Sequence, residues 1–207
     1  MDSSRLTAFT DGVVAVLITI MVLAMTPPHG AGLQDLKGVL PIFLSYVLSF
    51  IYLAIYWNNH HHFFQLVREV NGAVLWANLS LLFWLSLVPF ATAWMGENDF
   101  APLPTAIYGV SLLMSALAWA VMQAVIIRQQ GEGSPLRQAI GRDLKSKVSP
   151  AIYVAGIGLA FVNPIAAWLA YAAVALLWLA PDRRVEAAFR QRREVAPERP
   201  PGPGQRG

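Results

Sequence analysis

The sequence predicts an all-α polytopic membrane protein of six transmembrane helices, and three observations carry that expectation. Of its 207 residues, 56% are hydrophobic and only 13% are charged. A soluble domain carries roughly 25% charged residues, so this chain has too few to cover a water-facing surface. Mean hydropathy is +0.50, and apolar runs of spanning length recur along the chain. The basic residues are also segregated. With the amino terminus inside, segments 1–5, 65–72, 128–148 and 181–207 hold all of the 15 Lys and Arg residues except Lys37. Such asymmetry implies an even number of spans with both termini in the cytoplasm. There is no cysteine, which excludes disulfides, thiolate metal sites and cysteine nucleophiles.

The first span covers about residues 6–25 and stops at Pro27-Pro28. Arg5 and the apolar run from Val13 to Met25 have the outline of a signal peptide, but Asp2, Asp11 and the lack of a small-x-small site before Pro27 favour a retained span. The second, about 40–62, has Pro41 near its start and ends in YWNNHHHFF. The third, about 73–95, contains Pro89 as a kink. The fourth, about 103–127, ends at RQQGEGSP. A further apolar stretch fills 149–184. One straight helix from Ala151 to Leu179 would be about 43 Å long at ~1.5 Å per residue, too long for a ~30 Å core. Asn163-Pro164 is a turn signal, so two short helices are expected, 149–162 and 164–180. Residues 1–181 thus form one transmembrane domain. The basic, Pro/Gly-rich segment 182–207 has no apolar face and is expected to be disordered.

Within the first span, Val16, Thr19, Ile20 and Leu23 share one helical stripe. The stripe alone is ambiguous. Nearly every stripe of a membrane helix is apolar, and Thr19 could simply bond back to the carbonyl of Ala15. Arg5 and Asp11 are six residues apart, so they point about 120° away from each other and cannot pair as i,i+4 neighbours. Each needs a partner on another helix or among lipid headgroups. The run His60-His61-His62 does not suit a metal, because adjacent side chains diverge by about 100° and ligands on one helix sit at i and i+3 or i+4. Asn59, His60 and His61 instead stand level with Arg5 and Asp11, where a polar network between the two helices is expected. Asn78, Ser80, Ser86 and Thr92 in the third span read as hydrogen-bonding glue between helices. No nucleophile–base arrangement, phosphate loop or carboxylate pair appears, so neither an enzyme nor a nucleic-acid partner is expected.

Arg5-x-x-x-Phe9-Thr10-Asp11 resembles the R-x-x-x-F-S-D signature of the transmembrane protein 175 family. Trp57, Asn59, His60 and His61 match its W-x-N-H-H segment, and Asn78 with Pro89-Phe90-x-Thr92 matches its third-helix pattern. The later spans are similar only in length and hydropathy. The resemblance implies a potassium-permeable channel, a homotetramer in the bacterial inner membrane whose first helices line the pore. It implies apolar constriction layers at Val16, Ile20 and Leu23 and a polar layer at Thr19. It implies no cofactor besides the permeant potassium ion and no carbonyl filter. The signature residues Arg5, Phe9, Thr10, Asp11, Trp57, Asn59, His60 and His61 become its structural network. Two positions depart from the pattern: Thr10 stands for serine, and Val16 for a bulkier aliphatic residue. A second reading is a proton-coupled secondary transporter using Asp11 and His60–His62. Transporters, however, place ionisable groups at the bilayer midplane between repeats, whereas these lie at one end.

Overall fold

Local chemistry decides where each helix stops. The computed structural model describes residues 3–67, 69–131 and 144–179. Among these are seven helical segments and no strand: α1 (Ser3–Leu23), α2 (Asp35–Gln65), α3 (Gly72–Ser86), α4 (Val88–Glu97), α5 (Pro102–Gln130), α6 (Leu144–Leu159) and α7 (Pro164–Leu179). Pro89 lacks an N–H and crowds the preceding turn, so the third span divides at Leu87 and restarts as α4 with proline in its first turn. Between α6 and α7, Asn163 Oδ1 accepts from the backbone N–H of Ala166 at 3.1 Å and Pro164 opens the helix. A capping asparagine followed by proline is a strong helix start.

Two helices begin earlier than hydropathy implied. α2 starts at Asp35, whose Oδ2 accepts from Gly32 N–H at 2.9 Å. A carboxylate in the first turn suits the helix dipole. Pro41 therefore lies inside the helix, with Ser45 Oγ donating to its carbonyl at 2.8 Å. Likewise α6 begins at Leu144 with Pro150 inside it. Hydropathy marks the part of a helix suited to lipid, whereas the backbone ladder continues into polar ends. The segment 182–207, with Arg68, Arg137 and Arg142, lies outside the described residues.

By length and composition α1, α2, the α3–α4 pair and α5 can each cross a membrane. α6 and α7 have 16 residues each, about 24 Å, somewhat short of a ~30 Å core. α5 packs against α3, α4, α6 and α7, and α2 against α1, α4 and α7. α1 sits at the edge of the bundle, held mainly by α2 and α4 with a smaller contact to α3.

Buried hydroxyls tie the bundle together. Ser49 Oγ lies 2.7 Å from Thr92 Oγ1 and 3.0 Å from the Tyr108 hydroxyl. Tyr52 donates to the carbonyl of Tyr171 at 2.6 Å, and Tyr153 donates to Tyr52 at 3.3 Å. Away from water, such bonds help hold helices together. Tyr171 is fully buried and its ring fills a slot where a Cβ on Gly109 or Gly156 would stand. Gly156→Ala is therefore expected to destabilise the protein by about 1–3 kcal/mol through overpacking. Gly158→Ala, two residues on with open space around it, is expected to be neutral or slightly stabilising. Thermal unfolding midpoints of the two purified variants check this. Equal midpoints would mean that Tyr171 moves aside freely.

Candidate functional site

The first helix presents two unlike faces. Leu6, Thr10, Val14, Leu17 and Met21 are buried against the bundle. Arg5, Phe9, Gly12, Val16, Thr19 and Leu23 are exposed in the single chain. Their spacing alternates four and three residues, one continuous seam along the helix. Ile20 is also exposed, at 45%, beside Val16 at 54%, whereas Leu17 is at 5%. The seam thus reaches Arg5, eleven residues from Val16 and within about 20° of its direction.

Thr19 lies midway between the apolar positions of the seam. Its Oγ1 donates to the carbonyl of Val16 at 2.8 Å, three residues back rather than to Ala15. This geometry commits the hydroxyl proton to the helix and leaves the oxygen lone pairs facing outward. An exposed, acceptor-presenting oxygen is the chemistry that suits a partly dehydrated cation.

What holds the seam outward is a hydrogen-bonded link on the opposite face. Asn78 Nδ2 on α3 donates to Thr10 Oγ1 at 3.0 Å. That leaves Asn78 Oδ1 as the acceptor for His60 Nε2 on α2, at 2.9 Å. All three residues are buried. His60 stacks on Phe64 with ring centroids 4.3 Å apart and lies 6.5 Å from Trp119. Beside this link, Trp57 Nε1 on α2 donates to Asp11 Oδ1 at 2.9 Å. Thr10 and Thr19 are nine residues apart, two and a half helical turns. Anchoring Thr10 inward therefore turns Thr19 outward.

The structure brings together Thr10, Asp11, Trp57 and His60, and it separates the other signature residues. Arg5 and Phe9 stand on the open seam. His61 lies at the rim, stacked on Trp57 at 6.1 Å and bonded to Gln65 at 2.8 Å. Asn59, expected in the network, instead lines a cavity on another side of α2. Neighbours in a helical sequence point about 100° apart, so Asn59 and His60 cannot share a face. Asn78, read from sequence only as helix glue, is the central link. Its signal was its place in the third-helix pattern, at the depth of Thr10 and His60.

These features define a class: a helical, multi-pass membrane protein whose edge helix is rotationally locked by a polar link and exposes an apolar seam interrupted by one hydroxyl. Comparison with known proteins narrows it. A family described as the endosomal/lysosomal potassium channel TMEM175 matches residues 5–89. A potassium channel of Chryseobacterium (strain P1-3) is 51% identical over 191 residues, covering 92% of this chain and all of the relative. Human TMEM175, named an endosomal/lysosomal proton channel, is 22% identical over 60% of this chain and 25% of its own length. A crystal structure of a lysosomal potassium-selective channel TMEM175 homolog from Chamaesiphon minutus superposes with a TM-score of 0.75 at 24% identity. It covers 86% of this chain and 96% of that one. The chain belongs to the TMEM175 family.

Proposed function

We propose that the protein is a potassium-permeable channel subunit, four copies of which place α1 around a central pore. The observation that carries this reading is the opposition of Thr10 and Thr19 on α1. A buried bond to α3 fixes one, and the other is presented outward with Val16, Ile20 and Leu23. Four such seams would stack a hydroxyl ring between apolar rings, and the apolar rings can gate by dewetting. The names of the bacterial relatives support potassium as the permeant ion. The transporter reading loses support because the Asp11 carboxylate is engaged by Trp57. No catalytic role and no resident cofactor are proposed.

The test is passive flux from purified protein in liposomes. Potassium should leave down its gradient without a coupled proton gradient, and far faster than from empty vesicles. Strict dependence on a proton gradient, or no flux above empty vesicles, would defeat the channel reading.

The bacterial inner membrane is the proposed location, with both termini cytoplasmic, on the strength of the basic-residue asymmetry. Because the chain lacks cysteine, single cysteines report topology cleanly. Asn98→Cys should react with an impermeant maleimide on intact spheroplasts, and Lys147→Cys only after permeabilisation. The reverse pattern would invert the topology.

A further inference from the structure

The cavity lined by Asn59 lies within the chain, away from the seam of α1. It opens between α2, α5, α6 and α7 and is lined chiefly by Tyr56, Asn59, Trp119, Ser149, Tyr153 and Trp178. It offers about 40 Å³ to the centres of water-sized molecules, several times the ~10–15 Å³ that one water needs. Among the described residues, none that lines it is charged. The walls are aromatic: Tyr56 meets Trp119 edge-on at 6.2 Å, and Tyr52 tilts against Tyr153 at 6.3 Å.

The polar groups here are unequally satisfied. Trp178 Nε1 donates to Ser149 Oγ at 2.9 Å, which in turn donates to the carbonyl of Lys145 at 2.8 Å. Tyr56 and Asn59 also line the cavity, yet neither the Tyr56 hydroxyl nor the Asn59 amide makes a hydrogen bond to any described residue. An unpaired amide and hydroxyl inside a membrane protein cost free energy unless something in the cavity completes them. Asn59 is one of the signature residues that the polar link leaves out.

We propose that this cavity is a binding site for a small neutral amphiphile. One hydroxyl or amide head would exchange hydrogen bonds with Asn59 and Tyr56, and a compact aromatic or aliphatic body would lie against Trp119 and Trp178. The described lining, aromatic with hydroxyl and amide groups and without charge, disfavours ions and phosphorylated headgroups, whose charge it does not offset. Mostly apolar walls with a few convergent polar groups are the usual make-up of a small-molecule site. Trp119 is shared: it walls the cavity and lies 6.5 Å from His60. A bound molecule therefore sits one ring away from the link that sets the rotation of α1.

The probe is a monofluorinated phenol, titrated into the purified protein in nanodiscs and followed by fluorine NMR. Binding is read without any current, so the outcome is independent of the channel assignment. Wild type should give saturable line broadening above that of empty nanodiscs. Ala116→Phe, which fills the cavity from α5, should abolish the saturable part. Asn59→Leu should weaken it by about three- to tenfold, the loss of one hydrogen bond to a neutral group. Val16→Ala, on the far seam, should leave it unchanged. Ala120→Trp, at the exposed edge of the same lining, replaces Ala116→Phe if that variant fails to elute as folded protein. Identical titrations for wild type and the filled variant would show partition into lipid only and overturn the proposal. So would saturable binding that Asn59→Leu leaves untouched.

Discussion

Val16→Ala is expected to raise potassium flux several-fold and to reduce discrimination against sodium. In a fourfold arrangement a single substitution acts four times at one level, so a small change in side-chain volume becomes a large change in aperture. A wider apolar ring is easier to wet and admits ions that keep more of their hydration. Thr19→Val preserves shape but removes the outward-facing oxygen of each chain, four in the proposed tetramer, so conductance or selectivity should fall while the yield of assembled protein holds. Leu17 provides the control. It lies one residue from Val16 but is buried against the bundle. Leu17→Ala should therefore cost about 2–5 kcal/mol of stability, as deletion of a buried leucine does, without changing ion preference in the protein that remains folded. The measurement is paired potassium and sodium flux from liposomes, with thermal unfolding of the same samples. If Leu17→Ala alters selectivity while Val16→Ala and Thr19→Val do not, the conducting face of α1 is wrongly assigned.

Asn78→Leu is expected to be the most damaging single change in the polar link. Asn78 is fully buried and serves Thr10 and His60 together. Removing the amide strands a hydroxyl and an imidazole N–H at about 1–3 kcal/mol each. His60 has no slack to absorb this, since its Nδ1 is already buried without a partner. The double variant Thr10→Val with Asn78→Leu removes one of the stranded groups and should recover part of the stability lost by Asn78→Leu alone, a non-additivity that a mutant cycle reads directly. Asp11→Ala should be milder. It frees Trp57, which is 44% exposed, and an indole N–H at that site can turn to water or headgroups. Unfolding midpoints and solubilised yield rank the three. A larger loss for Asp11→Ala than for Asn78→Leu would place the main anchor of α1 at Trp57 instead.

The sequence by itself determined the solvent and the punctuation. Scarce charge and long apolar runs select a bilayer, because each residue contributes its own transfer free energy wherever it finally packs. The break before Pro89 and the restart at Asn163-Pro164 were legible for the same reason: a missing N–H and a capping amide act on the next turn of their own chain. The seam of α1 was partly legible, since helical periodicity placed Val16, Thr19, Ile20 and Leu23 together but gave no account of which way they face.

Tertiary structure alone decided the partners. Asp11 meets Trp57 from 46 residues away and Thr10 meets Asn78 from 68, and nothing local encodes either distance. It also separated Asn59 from His60, assigned Arg5 to the open seam rather than to the network, and enclosed the cavity beside Trp119. Each of these depends on the rotation and crossing of whole helices. Rotation is settled by the joint packing of many side chains and by the need to satisfy every buried polar group at once, so it becomes visible only when the helices are assembled.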